Sequence, residues 1–388
     1  MPVAYLTRRV STTVFFSFRG SAERRRALDS GPGSAERYAL FGVDELAARG
    51  FVVRHNLERK GPPPRWAAFA GGALKWALER AGGYGGDFAT VVGSLRRANS
   101  ADVVFSTVDT VGIPLMLLQR FGRLRPPLVY VAIGLPERLA KLRSERMRRL
   151  YASALGSCAS VVAHSRHEAD ELRSWLARYG LSPRVVFVPF GVDPAAFRPG
   201  RGPREVDVVS VGTDPHRDFA LLLRVATRMP DTSFRIVTSR EHRRTLASLS
   251  ENVAVETEIP FEEMRRRLVE ARVVALPVRE NSYSGATTVL LQAMALGKPV
   301  VVTRTNAIAT GYGLVDGENC RLIAPGDDAG FERALAVVLR DEFHARALGA
   351  SARATVEREF TWERYVDRIE ELLRDAAGEP PPSRSEAA

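Results

Sequence analysis

Short, almost wholly apolar runs separated by helical segments constrain this chain more than any other feature. DVVFSTVD, PPLVYVAIG and SVVAHS in the first half, and VDVVSVG, RVVALPV and KPVVVT in the second, offer almost no polar side to solvent. A strand of that kind is buried on both faces, the situation of a parallel strand covered by helices above and below. FVVRHN, RVVFVPFGVD, SFRIVTS, NVAVETE and CRLIAP extend the alternation along the chain. Strand alternating with helix predicts an α/β fold with doubly wound parallel sheets. Because 388 residues exceed what one core usually holds, two such domains are expected. Their expected bounds are 1–195 and 196–358, followed by a helix over 359–378 packing back toward the first domain and a disordered Pro- and Ser-rich tail at 379–388.

Locally, the pattern predicts a first strand at 3–6 and an irregular basic stretch to about residue 34. Helices are expected over 34–50, closed by Gly50, over 66–80 and over 88–97. One long helix is expected over 137–156, with a basic, narrowly amphipathic start, ERLAKLRSERMRRL.

Charge is uneven. Residues 1–200 hold 30 Lys and Arg against 16 Asp and Glu, whereas residues 201–388 hold 26 against 29. A one-sided basic field favours a polyanionic partner: anionic lipid, nucleic acid or a phosphorylated substrate. The helix from 137 could lie on an anionic bilayer. Nucleic acid is disfavoured, because a single-strand groove interleaves cations with aromatics and this segment has no aromatic before Tyr151. Two distant cysteines, Cys158 and Cys320, exclude a disulfide framework and suit a reducing, cytoplasmic setting. No apolar run reaches the length of a membrane span and no secretory leader is expected. Scattered histidines and the lack of an Asp-x-Asp triplet argue against a resident metal or other cofactor.

In open α/β sheets, ligands bind beyond the carboxyl ends of the strands. The turn after RVVALPV is such a place: Ser284, Gly285, Ala286, Thr287 and Thr288 precede an apolar helix, and unobstructed N–H groups at a helix start favour an anion. Ser284 as a plain N-cap is the alternative reading.

The same stretch, continuing LLQAMALGKPVVVT, closely resembles the donor-binding segment of glycosyltransferase family 4. FVPFGVDPAAFRP at 187–199 resembles that family's linker, VSVGTDPHRDF at 209–219 its phosphate loop, LVDGENCRLIAPGD at 314–327 a further segment and EFTWERYVDRIEELL at 359–373 its final helix. The resemblance implies a GT-B fold of two Rossmann-like domains. It further implies a retaining transfer of sugar from a nucleotide-diphosphate donor, without metal, to an acceptor held by the first domain. It assigns phosphate contacts to Gly212, Thr213 and Arg217 and to the 284–288 turn. Two glutamates usual in the family are replaced by Ser284 and Gln292, which leaves Gln292 as an uncharged partner for the ribose. Glu280 is an alternative carboxylate near the sugar. In the first half, Asp109 could orient an acceptor hydroxyl or act as a base, Glu137 and Arg138 follow a comparable strand end, and His164 could touch substrate. A GT-B protein that binds nucleotide or sugar without turnover is the alternative to a working transferase. A cofactor-bearing phosphorylase fits less well, because Lys is scarce.

Overall fold

The computed structural model describes residues 11–59, 61–200, 205–246, 249–283 and 285–379. The strand expected at 3–6 and the tail from residue 380 lie outside them. The chain divides into two compact units. The first comprises residues 1–162, 172–186 and 366–388, and the second residues 163–171 and 187–365. These bounds differ from a single cut near residue 195. Residues 163 and 164 are hydrogen-bonded to Val188 and belong with the second unit.

Six strands form the sheet of the first half: β1 (Thr13–Ser17), β2 (Val52–His55), β3 (Val103–Ser106), β4 (Leu128–Ala132), β5 (Ser160–Ala163) and β6 (Val185–Phe187), ordered β2-β1-β3-β4-β5-β6. Every position of β3, β4 and β5 is buried, which is why those runs carry no polar alternation. In the second half, β7 (Val206–Val211), β8 (Phe234–Thr238), β9 (Val253–Thr257), β10 (Ala271–Leu276), β11 (Val300–Thr303) and β12 (Arg321–Ile323) are ordered β12-β11-β10-β7-β8-β9. β7 pairs in parallel with both β8 and β10. The chain therefore winds outward from β7 in one direction and returns to wind outward from β10 in the other. The crevice between those two strand ends is the switch point where such sheets take ligands.

Three local expectations are corrected. The basic stretch before residue 34 holds β1, whose TVFFS is buried at four of five positions, and a helix at Ala22–Asp29 capped by the Ser21 hydroxyl. The helix over 34–50 is two pieces, Ala35–Leu40 and Val43–Ala48, because Phe41 and Gly42 both take left-handed φ (57° and 90°). The long basic helix is also two, Leu135–Ala140 and Glu145–Gly156, with the Ser144 hydroxyl accepting from the Met147 N–H at 3.3 Å to start the second.

In the second unit, the helix Thr287–Ala295 carries Leu290, Leu291, Ala293 and Met294 into the core. Its last turn rests on the helix Glu342–Glu359. A Cβ on Gly349 would lie 2.0 Å from the Gly297 carbonyl oxygen, so only glycine lets the two backbones meet. Arg353 of the same helix donates to the Ala295 carbonyl, placing a cation at the negative end of the helix dipole. In the C-terminal region a helix occupies Trp362–Ala376, and residues from Val366 on count with the first unit. There Arg49 pairs with Asp367 and Glu370 at 2.7 and 2.8 Å.

Candidate functional site

The loops after β7 and β10 are fastened to each other at the switch point. Asp218 N–H donates to the Pro277 carbonyl (2.9 Å) and Arg279 N–H to the His216 carbonyl (2.8 Å), a short antiparallel bridge centred on Arg217 and Val278. Asp218 then caps the helix Phe219–Arg228, fixing where the first loop ends.

Arg217 is the unusual residue of this junction. Its side chain is folded back beneath the loop, 3% exposed, and Nη2 donates to the Ser210 hydroxyl at 2.8 Å. Ser210 in turn donates to the Ala275 carbonyl of β10 at 2.6 Å. Nε and Nη1 have no hydrogen-bond partner among the described residues. Burial pulls the guanidinium down to about 10, with the Asp214 carboxylate opposing that shift, so it stays charged at neutral pH. A buried cation with unmet donors is costly, and an anion that accepts from those donors would offset the cost. Gly212 makes room for the guanidinium: a Cβ there would meet Arg217 Nε at 2.9 Å.

The second fastening was not legible beforehand. The Tyr283 hydroxyl donates to Asp214 Oδ2 (2.7 Å) and lies 3.1 Å from His216 Nδ1, while His216 N–H donates to Asp214 Oδ1 (2.8 Å). Gly285 lies flat against this carboxylate, with a hypothetical Cβ 2.6 Å from Asp214 Oδ1. Asp214 thus locks the two loops around the space beside Gly212. The only sequence signal was the glycine itself, which demands a close neighbour without naming it.

The helix after the turn begins at Thr287, with Ala286 at its N-cap and no side-chain cap. The described part of the expected anion turn, from Gly285 to Thr288, therefore leads into and forms the start of this helix. The Thr287 hydroxyl is engaged with Tyr312, whereas Thr288 is half-buried on the same first turn. Ser284 lies outside the described residues. Gln292 is buried, and its Oε1 has no hydrogen-bond partner among the described residues. Thr213 is exposed at the loop tip. Glu280 is exposed, and its Oε1 accepts the Asn306 N–H at 2.9 Å, so the proposed sugar-side carboxylate spends one oxygen capping a short helix.

The first-half candidates sit elsewhere. Asp109 is buried at the start of the helix Asp109–Arg120. Oδ1 accepts from the Tyr130 hydroxyl (2.8 Å) and the Ile133 N–H (3.1 Å), and Oδ2 accepts from Arg138 Nε (2.9 Å). Burial raises its pKa, while Arg138 and the other donors oppose that rise. With both oxygens engaged, Asp109 is a structural anchor between β3 and β4 rather than a free base, and it also fixes Arg138. His164 belongs to the second unit, where its ring packs against Phe190 and Tyr365 at 5.5 and 5.8 Å and its Nδ1 meets the Val188 carbonyl at 2.9 Å. These are the surroundings of a packing residue, and burial lowers the imidazole to about 4.

That depression has a testable consequence. Between pH 6.5 and 4 the unfolded imidazole takes a proton that the folded one refuses, so stability falls as pH falls through that window. The loss approaches roughly 3 kcal/mol. Urea titrations of wild type and His164→Phe across that range should show a steeper pH slope for wild type; equal slopes would remove His164 as the cause.

The first unit has a cavity of about 440 Å³ beyond β1 and β2, lined among others by Gly20, Arg25, Asn56, Arg59, Asp87 and Arg97. Asp87 caps Thr90, Asn56 is bonded to the Phe18 backbone, and Arg97 is paired with Glu58. Arg25 and Arg59 are the cavity's exposed cations without an ion pair among the described residues. Among those residues there is also no cluster of potential metal ligands.

Residues 206–341 match the family model described as "Glycosyl transferases group 1", and this span contains the whole second-sheet junction. Over those residues the chain is similar to the group 1 glycosyl transferases. Relatives of the chain include an MMP alpha-(1->4)-mannosyltransferase from Mycolicibacterium hassiacum, 28% identical over 200 residues, covering 48% of each chain. Another is a GDP-mannose-dependent monoacylated alpha-(1-6)-phosphatidylinositol monomannoside mannosyltransferase from Corynebacterium glutamicum, 26% identical over 231 residues, 52% of this chain and 59% of that one. The chain thus spans about half the length of the curated relatives it matches. Among solved structures, sucrose-phosphate synthase from Thermosynechococcus elongatus superposes with a TM-score of 0.70 at 17% identity, over 94% of this chain and 98% of that one. HepE from Anabaena, solved with UDP-glucose, gives 0.66 at 16% identity, over 94% and 99%. The fold is GT-B.

Proposed function

We propose that the protein is a retaining glycosyltransferase whose group 1 domain holds a nucleotide-diphosphate sugar at the β7–β10 switch point. Arg217 carries the reading: a buried, charged guanidinium with two unmet donors beside a glycine loop and an uncapped helix start is a site completed by a diphosphate. Thr213, Gly285 and Thr288 line the same turn, and Gln292 supplies an amide for the ribose. Ser284 and Glu280 are retained as the sugar-side candidates. Support for the donor class comes from HepE, solved with UDP-glucose, and from the GDP-mannose-dependent relative.

In the transfer, the bond from the anomeric carbon to the diphosphate oxygen breaks and the acceptor oxygen bonds that carbon from the same face. The acceptor proton passes to the departing diphosphate oxygen, so no strong protein base is needed. Arg217 and the helix N–H groups stabilise the charge that develops on the leaving group, with no metal called for. The acceptor is assigned to the first unit's cavity, where Arg25 and Arg59 favour an anionic molecule. Peripheral contact of the basic first half with an anionic bilayer on the cytoplasmic side belongs to the same reading, and two relatives named for lipid-linked products, the phosphatidylinositol monomannoside enzyme and a lipopolysaccharide core glycosyltransferase, support it.

Incubation with UDP-, GDP- and ADP-sugars should release free nucleoside diphosphate from one of the three, faster with a phosphorylated polyol present as acceptor. Binding of a nucleoside diphosphate with no release from any donor under either condition would instead favour the non-catalytic alternative.

A further inference from the structure

The helix Arg65–Arg80, RWAAFAGGALKWALER, is built inside out. Its buried residues are the small ones, Ala67 and Gly71, and a Cβ on Gly71 would lie 2.4 Å from the Ala89 backbone nitrogen of the helix Phe88–Ala98. The two helices therefore meet through a glycine, and the large side chains point away. Trp66 is 60% exposed, Phe69 82% and Trp76 65%. At 100° per residue, positions 66, 69, 73 and 76 fall within one arc of about 80°, opposite Ala67 and Gly71. Soluble helices place polar residues on that arc, and single exposed apolar residues are ordinary, but a contiguous aromatic stripe is not.

The charges around the stripe select its partner. Arg65 and Arg80 flank the aromatic arc, Arg80 lies over the Trp76 ring at 5.7 Å, and the helix's one acid, Glu79, is paired with Lys75 at 3.9 Å. Just beyond the helix end, Arg143 N–H donates to the Gly82 carbonyl at 3.0 Å, bringing the basic segment from residue 138 to the same place. That segment cannot supply the apolar contact once assigned to it, because Leu139 and Leu142 are buried, but its exposed cations can supply charge. Trp and Phe seated at headgroup depth with Arg and Lys beside them is the composition of an interfacial membrane helix.

We infer that the face formed by Trp66, Phe69 and Trp76, with Arg65 and Arg80, docks the protein on an anionic lipid bilayer. The docking rests on the peripheral bilayer contact of the proposed function and names its face; its failure is read by flotation, separately from the nucleoside diphosphate release that tests the transfer.

The test is flotation of the full chain with phosphatidylcholine vesicles and with vesicles containing 30% phosphatidylglycerol. Wild type should float with the anionic vesicles and much less with the neutral ones. Trp66→Ser/Phe69→Ser/Trp76→Ser should lower the partition coefficient by at least about thirtyfold, and Arg65→Gln/Arg80→Gln should reduce the preference for anionic lipid. An unchanged thermal melting curve keeps the triple variant informative, since the altered side chains are exposed. Wild type staying with the unbound fraction in anionic vesicles overturns the proposal. So does undiminished flotation of the triple variant, or a triple variant that turns a dimer into a monomer while floating as before.

Discussion

Arg217→Met should stabilise the ligand-free protein and remove most of its affinity for nucleoside diphosphates. The two effects have one cause. In the free protein the guanidinium is buried with Nε and Nη1 unpartnered among the described residues, so a thioether of similar length removes a desolvation cost and sacrifices the bond to Ser210, the contact over the Phe219 ring at 5.5 Å and the attraction of Asp214. The gain should be about 1 to 3 kcal/mol, read as a higher urea midpoint. In the bound protein the same donors would meet phosphate oxygens, and losing a charged hydrogen bond costs about 1.5 to 3 kcal/mol, some ten- to 150-fold in Kd. Arg217→Lys keeps the charge without the fork and should fall between. A variant both less stable and undiminished in affinity would mean that Arg217 is a packing residue.

Gly349→Ala should be the most damaging single methyl group in the second unit. The added carbon would sit 2.0 Å from the Gly297 oxygen and 2.8 Å from its carbonyl carbon, backbone atoms with no rotamer to escape into. Gly297 has φ +66°, a conformation it must keep to close the helix Thr287–Ala295. The helices must therefore separate, at a cost of about 3 kcal/mol, the upper end for overpacking. The helix Thr287–Ala295 is the one whose first turn is proposed to hold the diphosphate, so donor affinity should fall as well, although Gly349 touches the chain just past its opposite end. A melting temperature within about 1 °C of wild type would show that the contact is softer than described.

How much of this was legible depended on what each residue type can report about itself. Buried parallel strands announce themselves, because β3, β4, β5 and β11 have no solvent-facing position to fill with a polar residue. β1 was missed because its buried TVFFS is flanked by polar and basic residues that dilute the pattern. Helix breaks at Phe41–Gly42 and Ser144 were missed because glycine and serine are also tolerated inside helices, and only φ or a cap bond decides.

At the proposed site, the motif order points to the loops and to Arg217, but burial of its side chain is not readable from an arginine in a polar loop. The Asp214–Tyr283 bond joins positions 69 apart, and no local rule pairs them. Asp109 shows the converse. A carboxylate at a strand end has the chemistry of a base, but three donors from β4 and the segment after it have already claimed it. The exposed stripe on the helix Arg65–Arg80 was hidden for a related reason: apolar residues at helical spacing are ordinarily read as a core face, and only the close contact at Gly71 shows that the small residues face inward.

The central claim is that Arg217 and the β7–β10 junction bind the diphosphate of the donor. Isothermal titration of UDP, GDP and ADP, each against its monophosphate, into wild type and Arg217→Met tests it most directly. One nucleoside diphosphate should bind wild type at least about tenfold more tightly than its monophosphate, and Arg217→Met should erase that difference. Equal affinity for mono- and diphosphate in wild type, or a diphosphate preference that survives in Arg217→Met, would contradict it.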